Sequence, residues 1–160
     1  IPIDRCKYNY GHYVCPVSET KSAYCNCLYH AANAMARSIS RIADEEFAEA
    51  DISPTQGFIV MTVVKRPGIR AGDIAKEMQL TPSTITRMLD KLEERGLVSR
   101  SSEGKSMLVY PTPDAIGAEQ RIKTAWGKMY ARSVNILGKE KGAALVQDLV
   151  RASAMLDQQA

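Results

Sequence analysis

The stretch from Ala71 to Arg100, AGDIAKEMQLTPSTITRMLDKLEERGLVSR, leaves this chain few ways to fold. Ile74, Ala75 and Met78 recur at helical spacing, with Asp73, Lys76, Glu77 and Gln79 between them. Gly72 and Asp73 suit the start of that helix, and Leu80 falls in the next turn as a core plug. Thr81-Pro82 then opens a second helix. Threonine can cap it, and proline fits the first helical position because its missing N–H has no partner there in any case. Ile85, Met88, Leu89 and Leu92 form an apolar stripe, and Gly96 ends the helix as a left-handed C-terminal glycine would. The pattern predicts helix, sharp turn, helix and strand.

With that stripe buried, the opposite face carries Ser83, Thr84, Thr86, Arg87 and Asp90/Lys91. Short hydroxyl side chains let a helix backbone approach base edges, bond phosphates and contact thymine methyls. Arginine can bridge guanine or clamp a phosphate. A helix-turn-helix presents its second helix to the DNA major groove in this way. A solvated face in another kind of α domain carries the same residue types, so the following segment matters. Leu97 to Arg100 and Met107 to Tyr110 predict two strands, with Ser101 to Ser106 between them and Gly104 at the tip. A hairpin directly after the helix at 82–96 is a wing, here 99–107. Lys105 near its tip and Arg100 at its base could enter a minor groove or touch the backbone. The candidate DNA-binding residues are thus Thr81, Ser83, Thr84, Thr86, Arg87, Arg100 and Lys105.

Three runs carry a family resemblance: Ile52-Ser-Pro-Thr-Gln-Gly-Phe, Asp73-Ile-Ala-Lys-Glu-Met, and Thr84-Ile-Thr-Arg-Met-Leu-Asp-Lys-Leu-Glu-Glu-Arg-Gly-Leu-Val. Together they resemble the MarR family of winged-helix regulators, over roughly residues 20 to 158 and most closely from Ser83 to Arg100. The family's wing carries Asp-x-Arg, where this chain has Glu103-Gly104-Lys105. Lysine lacks the planar fork that suits a narrow minor groove. Pro111-Thr112…Gly117 is a further partial match to the segment after the wing. The resemblance implies a homodimeric transcriptional regulator, expected to be a repressor. Double-stranded DNA with a palindromic operator and a small apolar or phenolic effector are its implied partners, with release by a small-molecule or oxidant signal.

A chain of 160 residues can bury one sizeable core or two small lobes. A net charge of +3 does not by itself argue for nucleic acid. Its distribution does, since Lys65, Arg66, Arg70, Lys76, Arg87, Arg95, Arg100 and Lys105 all fall in or near the helix-turn-helix. No apolar run approaches membrane-spanning length, and no signal-peptide pattern opens the chain, which starts at Ile1 and not Met. A cytoplasmic protein without membrane association is the expectation.

Further helices are expected from Ser18 or Ser22 to about Ala50, from Pro54 behind a Ser53 cap to about Lys65, from Pro113 to about Leu137, and from Lys139 to about Gln158. The first long helix repeats Tyr24, Leu28, Ala31, Met35, Ile39 and Ile42; the last repeats Ala144, Leu145, Leu149, Ala152 and Leu156. A winged helix has no room for these long terminal helices, and a second copy of the chain is the economical cover for their apolar faces. The expected fold class is mainly α: a winged helix-turn-helix lobe with a two-stranded wing, plus long terminal helices forming a dimerisation lobe. The expected division is an amino-terminal arm at 1–17, a dimerisation region at 18–50 and 113–160, and a DNA-binding domain at 51–112.

Cys6 and Cys15 flank a tyrosine cluster, and Cys25 and Cys27 are expected in the first long helix. There is no C-x₂-C pair, and helical residues two apart point about 200° from one another, so neither a shared metal nor a mutual disulfide is expected. No cofactor is implied. The resemblance extends to members that sense oxidants through a cysteine near the start of this helix, which makes Cys25, Cys27, Cys15 and Cys6 candidate redox residues. The chain lacks G-x-x-x-x-G-K-[ST], H-E-x-x-H and G-x-S-x-G, and its two histidines lie near the amino terminus, so an enzyme is not expected. The alternatives are a winged-helix module for protein contact and a cysteine-based redox protein, neither with sequence-specific DNA binding.

Overall fold

The computed structural model describes residue 24 and residues 27–104 and 106–158. Its backbone runs α1 (Leu28–Phe47), a 3₁₀ turn (Ala48–Ala50), α2 (Pro54–Lys65), β1 (Ile69–Arg70), α3 (Ala71–Met78) and α4 (Pro82–Glu94). The strands β2 (Val98–Glu103) and β3 (Ser106–Pro111) follow, then α5 (Pro113–Leu137) and α6 (Lys139–Asp157). The chain divides into two compact units at Arg41 and Ile42.

Local chemistry sets the helix ends. Ser53 caps α2, accepting from the Gln56 amide at 3.4 Å, with Pro54 in the first helical position. Helices α3 and α4 end alike. The Leu80 amide reaches back to the Ala75 carbonyl and the Leu97 amide to the Leu92 carbonyl, each across five residues. These are Schellman closures, which need one residue of positive φ. Gly96 supplies it after α4 at +69°, whereas Gln79 supplies it after α3 at +53° despite its Cβ.

The structure corrects three boundaries. Cys27 lies just ahead of α1, with its carbonyl accepting from the Ala31 amide at 2.9 Å, rather than inside the helix. Residues 48–50 tighten into a 3₁₀ turn before Asp51, which takes φ +51°. The wing strands are longer than expected, Glu103 pairing with Ser106, so that only two residues separate them. Gly104 at φ +58° permits so short a connection. The unforeseen strand β1 pairs antiparallel with β3, Ile69 opposite Val109, giving a sheet of order β1-β3-β2.

One apolar core lies within Ile42–Ala160. Phe47 from α1, Ile59, Val60 and Val63 from α2, Ile74 from α3, and Ile85, Leu89 and Leu92 from α4 are almost wholly excluded from solvent. Val98, Val109 and Ile122 bring in the sheet and α5. Phe47, Phe58 and the half-exposed Trp126 form an edge-to-face ladder with centroid separations of 5.8 and 6.1 Å.

Gly57 decides how closely α2 approaches this core. A Cβ there would lie 2.8 Å from the Phe47 ring and 3.1 Å from the Ile122 methyl, both fully buried. Alanine would gain about 0.5–1 kcal/mol in helix propensity, but overpacking a closed core costs about 1–3 kcal/mol. Gly57→Ala should therefore destabilise by about 1 kcal/mol in urea unfolding. Gly127→Ala, which meets nothing within 4 Å on α5, should stabilise. A gain at both positions would show that the Phe47 pocket yields.

Candidate nucleic-acid interface

Helix α4 is two-faced. Ile85, Leu89 and Leu92 are at most 1% exposed. Ser83, Thr86, Arg87, Lys91 and Glu94 lie on the other side, all exposed. At its start, Thr81 Oγ1 accepts from the Thr84 amide at 3.3 Å and lies 3.1 Å from Ser83 Oγ and 2.8 Å from Thr84 Oγ1. Three of the expected site residues thus form one hydroxyl cluster around the helix cap. One turn on, Thr86 Oγ1 donates to the Pro82 carbonyl at 2.9 Å. The Arg87 side chain has neither hydrogen bond nor ion pair among the described residues.

Arg100 sits differently. Its Nε donates to Glu93 Oε2 at 2.9 Å and its Nη1 to Asp90 Oδ1 at 2.6 Å. Its backbone amide also donates to Glu93 Oε1 at 3.1 Å. The guanidinium is mostly covered, and the base of the wing is thereby fastened to two successive turns of α4. Hydrogen bonding from Arg100 holds the Glu93 carboxyl below its usual range, and the Glu93 and Asp90 carboxylates raise Arg100.

Other members of the expected basic cluster are also engaged. Arg66 pairs with Glu77, Lys76 with Asp73 at 3.7 Å, and Arg95 with Asp51 at 3.0 Å. Among the described residues, Lys65, Arg70 and Arg87 remain as cluster cations without an acidic partner. Lys105, Cys6, Cys15 and Cys25 lie outside the described residues. Cys27 is exposed as a free thiol.

Sequence reading did not single out Glu93, nor the double role of Thr112. The Thr112 hydroxyl accepts from the Ala115 amide at 3.2 Å, capping α5. It also donates to the Gly96 carbonyl at 2.6 Å, at the end of the outward-facing helix. A threonine before Pro113 signals the cap. Nothing local signals the bond to Gly96, sixteen residues earlier.

Two helices joined by a tight turn, with an antiparallel hairpin behind the second, define a winged helix-turn-helix protein. The MarR family profile matches residues 52–104. The HTH-type transcriptional repressor MdtR of Bacillus subtilis is 29% identical over 65 residues, 41% of this chain and 42% of that protein. The chain spans about half the length of the first curated relatives it matches, 42% and 54%. In fold it is similar to MepR of S. aureus in a DNA complex, with a TM-score of 0.70 and 20% identity over 81% of this chain and 97% of that one. It is similar also to the transcriptional repressor CouR bound to p-coumaroyl-CoA, with a TM-score of 0.76 and 20% identity over 85% and 98%. The MarR match thus lies on the helix-turn-helix and wing, and the curated relatives that share it are named as HTH-type transcriptional regulators.

The Glu93–Arg100 contact carries a sign in pH. A carboxyl whose folded pKa is depressed adds stability in full above the ordinary glutamate value of about 4.3, and loses it as pH falls through the folded value. Wild type should unfold at higher urea than Glu93→Gln at pH 7, with the gap closing on acidification below that value. A gap independent of pH would mean that the charge is immaterial.

Proposed function

We propose that this protein is a homodimeric DNA-binding transcriptional regulator, acting as a repressor on a palindromic operator and released by a small apolar or phenolic effector. The observation that carries the reading is the outer face of α4. It is polar, lies opposite a closed stripe, and presents an Arg87 side chain with no partner among the described residues. In this reading residues 51–112 bind DNA. The Thr81, Ser83 and Thr84 hydroxyls take phosphate, Thr86 and Arg87 face the bases, and Arg100 sets the angle of the wing that carries Lys105. The DNA complex of MepR and the ligand complex of CouR support the partner classes.

Dimerisation through 18–50 and 113–160 is supported by what the chain leaves uncovered. Helix α6 buries no residue, and Val146, Leu149, Val150, Met155 and Leu156 are 47–70% exposed. Tyr130 and Ile136 on α5 and Leu28 and Tyr29 on α1 are as open. Apolar faces this open need a cover, and a second copy also supplies the second recognition helix, about 34 Å away on duplex DNA. No described helix is long and apolar enough to cross a membrane, which fits a cytoplasmic regulator.

Arg87→Ala should weaken binding to a preferred duplex by roughly tenfold to a hundredfold while leaving thermal unfolding unchanged. Lys105→Ala should weaken all duplexes alike and lower the salt slope by about one ion per half-site. Leu149→Asp should give a monomer by light scattering with poor DNA affinity. A chain that prefers no duplex over random DNA, or binds fully as a monomer, would sink this reading.

A further inference from the structure

We propose that Thr86 reads its base pair through its γ-methyl group, and so selects a thymine 5-methyl in the major groove. The inference rests on the DNA-binding reading above and deepens it. Thr86 is exposed on the outer face of α4, one turn after Ser83 and one turn before Asp90. A threonine hydroxyl has one proton to give, and here it goes to the Pro82 carbonyl at 2.9 Å. That bond commits the proton and draws Oγ1 back against the preceding turn, so the hydroxyl no longer donates to a base, while Cγ2 is held by no such bond.

The neighbours reinforce this. The Ser83 hydroxyl belongs to the Thr81 cluster, at 3.1 Å, and the Asp90 carboxylate is held by Arg100 at 2.6 Å. On either side of Thr86, Ser83 is turned to the cap cluster assigned to phosphate and Asp90 to Arg100, while the Arg87 side chain has no partner among the described residues. Thymine alone among the bases offers a methyl group in the major groove, and a threonine methyl is a suitable partner for it. Arg87 would then supply the polar contact and Thr86 the apolar one, from adjacent positions of the same helix.

The test uses the full chain and the tightest duplex selected by the wild type from a randomised pool. Each thymine is replaced in turn by deoxyuridine, which keeps every hydrogen-bonding group and removes only the methyl. One thymine per half-site should then cost about fourfold in affinity, the burial worth of one methyl group. Thr86→Val should keep both the affinity and this dependence. Thr86→Ser should lose about as much affinity as the uracil duplex does, and bind thymine and uracil duplexes alike. Thermal unfolding of both variants confirms that each is folded. A serine variant as tight as wild type, with valine weakened, would assign the contact to the hydroxyl and overturn the proposal. So would a wild type indifferent to uracil at every position. In either case a retained preference over random DNA leaves the DNA-binding reading standing, and loss of that preference removes both.

Discussion

The structure depends on the burial of Ile85, Leu89 and Leu92. A helix has a fixed angular period, so once these side chains are closed off, the direction of every other residue on α4 is settled. Ser83, Thr86 and Arg87 face outward because the stripe does not. The stripe fixes rotation but not pitch or slide. Arg100 restrains those, tying the start of the hairpin to Asp90 and Glu93 a turn apart. An apolar contact and an ionic one thus divide the task of holding a polar face still.

Charge in this chain is informative by residue rather than in total. A cluster of basic residues around the helix-turn-helix suggests a positive surface. Much of it is spent inside the fold: Arg66 on Glu77, Arg95 on Asp51, Arg100 on Asp90 and Glu93. Farther along, Lys128 and Arg132 of α5 hold Glu49 and the pair Glu45 and Glu46 near the end of α1, and both cations are stabilised in charged form by those acids. Among the described residues the cluster cations left without an acidic partner are fewer, and Arg87 is the one on the outer face of α4.

What could be read in the sequence was local. Ser53-Pro54 and Thr81-Pro82 announce helix starts because the capping hydroxyl and the proline act within three residues. The α4 stripe and Gly96 announce a face and an end for the same reason. The unread features depend on residues far apart in the chain. β1 is two residues long and is a strand only because Val109 and Leu108 lie beside it. The reach of Arg100 to Glu93, the second bond of Thr112 and the contact of Gly57 with Phe47 each join different elements. Gln79 is a subtler case. It occupies a glycine's conformation because the backbone closure beneath it outweighs its own preference. The α6 stripe was legible as an amphipathic face, and none of its residues is buried.

The Thr112 hydroxyl has a mechanical consequence. One oxygen caps the long helix α5 and grips the carbonyl that closes α4. Around the same junction, the buried Ala115 and Ala118 seat the first turns of α5 in the core that holds α4. The two helices therefore meet as the arms of a crank, with a stiff elbow at residues 96 and 112. A twist of the 25-residue arm does not dissipate in a loop. It would arrive at the shorter arm as a change of heading, and a few degrees there would turn the outer face of α4.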